Sequence, residues 1–428
     1  MVGAPETRAK IDTEAKVTAR GYSLPPNQCV ARERWPGQPF ALTPHDPDCE
    51  TLPAVYVQLV DPAADSPAYD HQLAAALARR GADVELVTSR FLYASLAAAR
   101  EYRVTESFYR YSTRLGLKHR RRRRAIKALE HVPDMLRHRR LARPADVRHY
   151  QWLSLEALDL ALLCPTRPRV MTMHNVLRRG DARRTMAVTR QLADRMDAVV
   201  VHTKGGARRL EELGVDPARV HVIAHGAFDY LARLEPALPL PPELAAVEGP
   251  VVLVFGLVRP YKGVDVLLRA FKEVHGAELW VVGRQLSGTM AEYHDLARQV
   301  SCTVRFVTDY VPEAQVQAYF RRADIVVLPH RRIDQSGVLH IGLAFGKPMV
   351  VSALGGFIEV AEEHGAVRLV PPEHPAALAD AIQGLLDAPD ERMRLARQAE
   401  RAAANHYSWD RIAAGTLDLY DELLLQRK

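Results

Sequence analysis

Apolar positions along the chain fall into two series of short strand-like runs, each followed by a stretch with helical spacing. The first run, Ala54–Val60, breaks at the turn-forming segment Asp61–Pro67. Tyr69–Gly81 then places apolar residues at helical intervals and stops on a glycine, and Asp83–Ser89 returns to a strand pattern. That is a β-α-β unit. Further strand-like runs lie at 169–173, 198–202 and 220–223, and the Pro-rich stretch 234–244 reads as a linker. The alternation then restarts with runs at 251–256, 278–283, 303–307, 325–329 and 348–352, and the pattern from 376 to 427 is helical throughout. Strands that alternate with helices predict parallel, doubly wound sheets. The expected organisation is an irregular leader over 1–50, an α/β domain over 51–235, a linker over 236–249, a second α/β domain over 250–405 and a closing helix over 406–428. Ligands belong at the carboxyl ends of the strands, facing a cleft between the two domains.

Composition narrows the class. The chain has 428 residues, 48% hydrophobic and 25% charged, which excludes a small stapled scaffold and wholesale disorder. Its four cysteines (Cys29, Cys49, Cys164, Cys302) are too scattered for a disulfide framework or a zinc site, so a reducing compartment fits. No apolar stretch approaches the roughly 20 residues of a membrane-spanning helix, and the polar start lacks the build of a secretory signal. The expectation is a cytoplasmic protein, at most peripheral on the inner membrane face.

The net charge of +7 is unevenly placed. Between Arg114 and Arg148 stand 13 Lys and Arg against 3 acids, a surplus of 10, which leaves −3 for the rest of the chain. The centre of this patch is the run Arg120, Arg121, Arg122, Arg123 and Arg124, with apolar residues such as Leu115, Ile126, Leu129 and Leu136 interleaved around it. A helix of this composition suits an anionic membrane surface. An ordinary solvated helix is the plainer reading. Nucleic acid is the third, but no helix-turn-helix, zinc-finger or RNA-binding signature accompanies the patch.

The chain has no GxGxxG after a strand, no GxxxxGK[ST], no HExxH and no GxSxG, so dinucleotide dehydrogenases, P-loop NTPases, zincins and serine hydrolases lose support. What stands out is Gly256-Leu257-Val258-Arg259-Pro260-Tyr261-Lys262-Gly263, directly after a strand and before a helix. Two glycines allow close backbone approach and two cations supply charge, a combination that suits a diphosphate. Downstream, Ser336-Gly337-Val338 opens a helix whose free amides and positive dipole end favour an anion. Gly346-Lys347-Pro348 ends that helix, and Gly355-Gly356 makes a tight corner at the same cleft edge.

These motifs resemble the family 4 glycosyltransferases, which have the GT-B architecture of two Rossmann-like domains facing a cleft. The resemblance is strongest over about 250–395, on Phe255–Phe271, Ser336–Val338, Ala344–Ser352 and Ala353–Glu359. It extends more weakly to Tyr69–Ser89, to Met171-Thr172-Met173-His174-Asn175-Val176 and to Val220–Gly226. The resemblance implies transfer of a sugar from a nucleotide-diphospho-sugar, with retention at the anomeric carbon and no required metal. Arg259 and Lys262 would bind and neutralise the leaving diphosphate, while Gly256, Ser336, Gly337 and Val338 would add backbone contacts. His174 would act beside the transferring sugar, as positioner or proton relay; the alternative is a satisfied core histidine. Glu359 matches the acid after the glycine corner; the alternative is an exposed glutamate at a helix start. The closing helix is expected to cross back to the first domain, and the acceptor to be a sugar, glycolipid or lipid-linked compound.

Some positions depart from the family. Alignment on Pro348 puts Ile333 and Ile341 where the family carries its two glutamates, with Asp334 the only nearby acid. Leu257 stands where many members have arginine, and the loop Asp61–Asp70 lacks the family's paired glycines. The second functional reading is therefore a non-catalytic sugar-nucleotide-binding or partner subunit.

Overall fold

The computed structural model describes residues 54–92, 101–115, 120–176, 182–285 and 290–427; the side chains of Arg120 and of residues 182–185 are outside that description. The expected leader over 1–50 also lies outside it. Two parallel sheets organise the chain. The first contains β1 (Tyr56–Asp61), β2 (Asp83–Ser89), β3 (Arg103–Phe108), β4 (Val147–Tyr150), β5 (Arg169–Thr172), β6 (Ala198–Val201) and β7 (Val220–Val222), in the order β3-β2-β1-β4-β5-β6-β7. The second contains β8 (Val251–Phe255), β9 (Glu278–Val282), β10 (Val304–Val307), β11 (Ile325–Leu328), β12 (Met349–Ser352) and β13 (Arg368–Val370), in the order β10-β9-β8-β11-β12-β13. These are two doubly wound, Rossmann-like sheets.

The strands read as continuous apolar runs because helices cover both faces. In β8, Val251, Leu253 and Phe255 pack with Phe320 and Leu339 on one side, while Val252 and Val254 pack with Leu267 and Phe271 on the other. Strand order reverses between β1 and β4 in the first sheet and between β8 and β11 in the second, and residues 53–428 form one compact unit. The loops that leave β8 and β11 therefore flank the crevice where such sheets bind ligands.

Three strands escape the apolar pattern. In β4, Arg148 and His149 are fully buried: the guanidinium donates to the carbonyls of Ala142 (2.7 Å) and Arg143 (2.6 Å), and the imidazole bonds the Tyr420 hydroxyl (2.6 Å) and Thr172 Oγ1 (2.7 Å). Satisfied polar groups let a central strand look like a loop in sequence. The other two, β3 and β13, are sheet edges.

The last helix, Trp409–Leu425, packs against the first sheet rather than the second. Trp409, Ile412, Leu419 and Tyr420 join Val57, Leu59, Leu73 and Leu77 in one cluster, and Trp409 Nε1 donates to the Ala227 carbonyl at 2.6 Å. This helix begins beyond the second sheet and ends on the first, so it staples the two together.

Candidate active site

At the carboxyl edge of the second sheet, the loop after β8 carries Gly256 at φ +97° and Gly263 at φ +68°. A Cβ on Gly263 would lie 1.9 Å from the Pro329 carbonyl oxygen, so this position admits only glycine while the β8 and β11 loops press together. A Cβ on Gly256 would lie 3.0 Å from Lys262 Nζ. The absence of that carbon leaves the ammonium room against the backbone.

Lys262 is only 8% exposed, and its one hydrogen bond among the described residues is a long one, 3.4 Å to the Phe255 carbonyl. Burial, and then the neighbouring charge of Arg259, push its pKa down to about 8. An ammonium with three donors and one weak acceptor is poised for an anion. It lines a cavity of about 360 Å³ together with Gly256, Ser336, Gly337 and Val338. Ser336 is the N-cap residue of the helix Gly337–Ala344 and makes no side-chain capping bond, and the amides of Gly337 and Val338, which line the same space, have no partner within the helix. The structure thus gathers five of the sequence-derived donor residues. Arg259 is half-buried and lines neither this cavity nor the next one, acting on Lys262 through its charge.

A second cavity, of about 370 Å³, adjoins the first; Ala68, Phe228, Glu313, Gln335 and Gly337 line both. His174 borders it, its ring stacked on Trp152 (4.9 Å between centroids, 9°) and edge-on to Tyr69 (4.8 Å, 89°). His174 Nδ1 lies 3.0 Å from His202 Nε2, and His202 Nδ1 lies 3.0 Å from the Ile223 carbonyl. A carbonyl only accepts, so His202 Nδ1 carries the hydrogen there. Burial holds His202 neutral, with a pKa of about 4, which makes its Nε2 an acceptor and His174 Nδ1 the donor to it. In the neutral ring of His174 the lone pair then lies on Nε2.

The two acids singled out in the sequence are placed elsewhere. Asp334 Oδ2 accepts from the Val176 amide at 3.1 Å and Oδ1 pairs with Arg209. Glu359 accepts from the amides of Lys204 (3.0 Å) and Gly205 (2.9 Å) at the start of the helix Lys204–Glu212. Neither lines the Lys262 cavity or the His174 cavity. Both run from the second half of the molecule to the first, where amides at a helix start and a guanidinium favour a carboxylate. Sequence proximity to the glycine corner could not separate this tie from a ligand contact.

The basic run lies on the helix Arg120–Leu141. Arg121, Arg122 and Arg124 are exposed and Arg123 is half-buried, and none of them lines either cavity. Further along the helix Met135 and His131 are buried, while Leu129 projects with 77% exposure. Because the helix returns from the carboxyl end of β3 to the start of β4, its arginine end stands at the cleft edge of the first sheet.

Sequence reasoning missed Glu313, Tyr230, Gln335 and His330, all of which line the Lys262 cavity. Glu313 follows Pro312 at a helix start, a pattern found on many surface helices. Burial keeps His330 neutral, with a pKa of about 3. Ile333 and Ile341 line this cavity too, so the two departures from the family's acids face the ligand space.

Two family profiles match the chain: one described as Glycosyltransferase Family 4 over residues 69–227, and one described as Glycosyl transferases group 1 over residues 249–388. The D-inositol 3-phosphate glycosyltransferase of Xylanimonas cellulosilytica is 32% identical over 312 residues, 66% of this chain and 73% of that protein. The D-inositol 3-phosphate glycosyltransferase 2 of Catenulispora acidiphila is 33% identical over 254 residues, 54% of this chain and 57% of that protein. Among solved structures, sucrose-phosphate synthase from Thermosynechococcus elongatus superposes with a TM-score of 0.69 at 19% identity, covering 86% of this chain and 99% of that one. Anabaena HepE in complex with UDP-glucose gives 0.65 at 17% identity, with coverage of 86% and 99%. At these identities the structures speak for the two-domain fold alone.

Proposed function

The chain belongs to the family 4 glycosyltransferases, and from that premise we propose that it moves a hexosyl group from a nucleotide-diphospho-sugar to a hydroxyl of a sugar, glycolipid or lipid-linked acceptor, with retention at the anomeric carbon. The observation that carries this reading is the Lys262 ammonium, buried with a single weak acceptor where Gly256 and the start of the helix Gly337–Ala344 converge. A diphosphate there meets a buried ammonium and free amides, a preorganised set of donors of the kind that stabilises developing negative charge. The bond between the anomeric carbon and the diphosphate breaks as the acceptor oxygen bonds to the same face of that carbon, and the hydroxyl proton of the acceptor passes to the departing diphosphate oxygen. Lys262, with Arg259 behind it, neutralises the charge that develops on the leaving oxygen, a task that then requires no metal ion. His174 Nε2 accepts a hydrogen bond from a sugar hydroxyl and orients the ring in the adjoining cavity.

Relatives named D-inositol 3-phosphate glycosyltransferases favour a phosphorylated acceptor within this class. The exposed arginines and Leu129 favour a peripheral position on an anionic membrane surface; among the described residues no helix is long and apolar enough to cross a membrane.

The first experiment is a thermal-shift panel of UDP-, GDP-, dTDP- and ADP-sugars on the wild type and on Lys262→Ala. Stabilisation of the wild type alone by one donor is the expected result. No shift with any donor would reject it. The second reading, a non-catalytic binding subunit, is favoured by Ile333 and Ile341 in the cavity wall; it predicts a donor-specific shift but no release of nucleoside diphosphate on addition of acceptor extracts.

A further inference from the structure

A nucleotide-sugar carries hydroxyl groups on its ribose and on its transferred ring, and each one buried without a partner opposes binding. At the two positions where the family resemblance expects carboxylates, Ile333 and Ile341 offer no acceptor. Glu313 is the only carboxylate among the described residues lining the Lys262 cavity. It also borders the His174 cavity, so it stands where the two spaces join.

We propose that Glu313 is the specificity-determining carboxylate of this chain, accepting a hydrogen bond from a ribose or sugar hydroxyl of the donor, and that Tyr230 positions it. The proposal rests on the donor reading of the Lys262 cavity. Glu313 opens the helix Glu313–Arg322 beyond β10 and is half-buried. The Tyr230 hydroxyl, from the connector between the two sheets, donates to Glu313 Oε1 at 2.9 Å. Oε2 has no hydrogen-bond partner among the described residues, although burial already raises the pKa of the group. A glutamate that served only its helix dipole would stand as well in open solvent. Here it is held by a second element at the wall of a ligand-sized space. An ionised carboxylate accepts several hydrogen bonds, so one oxygen held by Tyr230 leaves the other for a hydroxyl.

Electrostatics supplies a test with opposite signs. A carboxylate in the cavity repels a bare diphosphate, so Glu313→Gln and Glu313→Ala should bind inorganic pyrophosphate at least as tightly as the wild type. The same variants should bind the donor more weakly, by about 10- to 100-fold for Glu313→Ala, as expected for a lost hydrogen bond to a charged group. Calorimetry would use whichever of UDP-glucose, UDP-N-acetylglucosamine and GDP-mannose stabilises the wild type, alongside analogues that each lack one hydroxyl. One deoxy analogue should bind wild type and Glu313→Ala alike, which identifies the hydroxyl. Tyr230→Phe, which keeps the cavity wall, should raise the donor KM several-fold and leave kcat near the wild-type value. Donor binding by Glu313→Ala equal to the wild type, or an equal loss for donor, every deoxy analogue and pyrophosphate, overturns the proposal. If no UDP-, GDP-, dTDP- or ADP-sugar stabilises the wild type, or if Lys262→Ala binds the donor as tightly as the wild type does, the donor reading itself has failed; loss of donor binding in Lys262→Ala with none in Glu313→Ala overturns the Glu313 proposal alone.

Discussion

His174 and His202 face each other nitrogen to nitrogen, with Nδ1 of the first 3.0 Å from Nε2 of the second. Because the Ile223 carbonyl fixes the hydrogen of His202 on its far nitrogen, the pair has one consistent tautomer, and it gives the His174 side chain an accepting Nε2. His202→Leu removes that acceptor. The Nε2 of His174 can then carry the hydrogen instead, and kcat should fall about 10-fold or more, as for a misoriented positioning group. His202→Gln, whose side-chain oxygen can accept in the same place, should recover much of the loss. Equal kcat for the two variants would mean that His202 only fills space.

Lys262 is predicted to dominate transition-state stabilisation. Lys262→Ala should lower kcat/KM by about 100- to 1,000-fold, the range found when one donor to a developing oxyanion is removed. The pH dependence has a definite sign. The folded-state pKa of about 8 lies below the ordinary value, so the folded chain binds fewer protons than the unfolded one above pH 8, and this group makes stability rise with pH toward its unfolded value near 10.5. Diphosphate binding needs the ammonium form, so donor affinity should instead fall as pH rises through about 8. Calorimetry in two buffers should show proton uptake on binding at pH 8.5, and none in Lys262→Ala.

Glu359 and Asp334 act between the halves of the molecule. Glu359→Ala leaves the Lys204 and Gly205 amides without their carboxylate and should cost about 0.5–2 kcal/mol of stability, the range of a lost helix cap. Donor binding should survive, because neither acid lines the Lys262 cavity. Loss of donor binding in Glu359→Ala at unchanged stability would return this residue to the ligand site.

The legible parts of this molecule are those where one residue type has one physical reason to be present. Val251–Phe255, buried on both faces, could only be a central strand, and Gly256, Lys262 and Gly337, singled out as glycines and a cation at strand ends, do come together on one cavity. β4 was hidden because Arg148 and His149 are buried yet fully partnered, which no hydropathy pattern reports. Glu313 was hidden for the opposite reason: a glutamate after a proline is an ordinary helix start, and only the fold brings Tyr230, 83 residues away in sequence, to its side. Asp334 and Glu359 lie in the expected loops, but side-chain direction follows from the position of the other half of the molecule, which a local motif does not encode.

A further pH effect belongs to the first sheet. Asp61, at the end of β1, and Asp70 share a hydrogen bond in a buried site, and burial raises both pKa values, that of Asp61 to about 6. Raised acid pKa values mean that the folded state holds protons the unfolded state has released, so stability from this pair is full at low pH and is lost as pH rises through about 6. Asp70→Asn keeps the shape and removes one charge. Its melting temperature should exceed that of the wild type at pH 8, and the difference should shrink at pH 5. A variant less stable than the wild type at both pH values would show that the shared hydrogen bond outweighs the repulsion.

The exposed end of the helix Arg120–Leu141 provides the last prediction. Arg121, Arg122 and Arg124 are exposed in the first turns, and Leu129 further along is 77% exposed, while the body of the helix is fixed by buried Met135 and by the hydrogen bond from His131 to Asp159 at 2.6 Å. Each cation near an anionic bilayer contributes about 1 kcal/mol, and a single apolar side chain adds a short-range component that salt does not screen. Replacing Arg121, Arg122, Arg123 and Arg124 with Gln should therefore reduce sedimentation with phosphatidylglycerol vesicles by about two orders of magnitude or more, while Leu129→Gln should produce a smaller loss that persists at high salt. Vesicles of phosphatidylcholine alone should bind neither the wild type nor the variants. Because the arginine end lies at the carboxyl edge of the first sheet, docking there would turn the His174 side of the cleft toward the lipid surface, so phosphatidylglycerol vesicles should also speed transfer to a lipid-linked acceptor more than to its water-soluble analogue. Binding by the four-Gln variant that equals the wild type would reduce the run to a solvated helix face and leave the acceptor to be sought in solution.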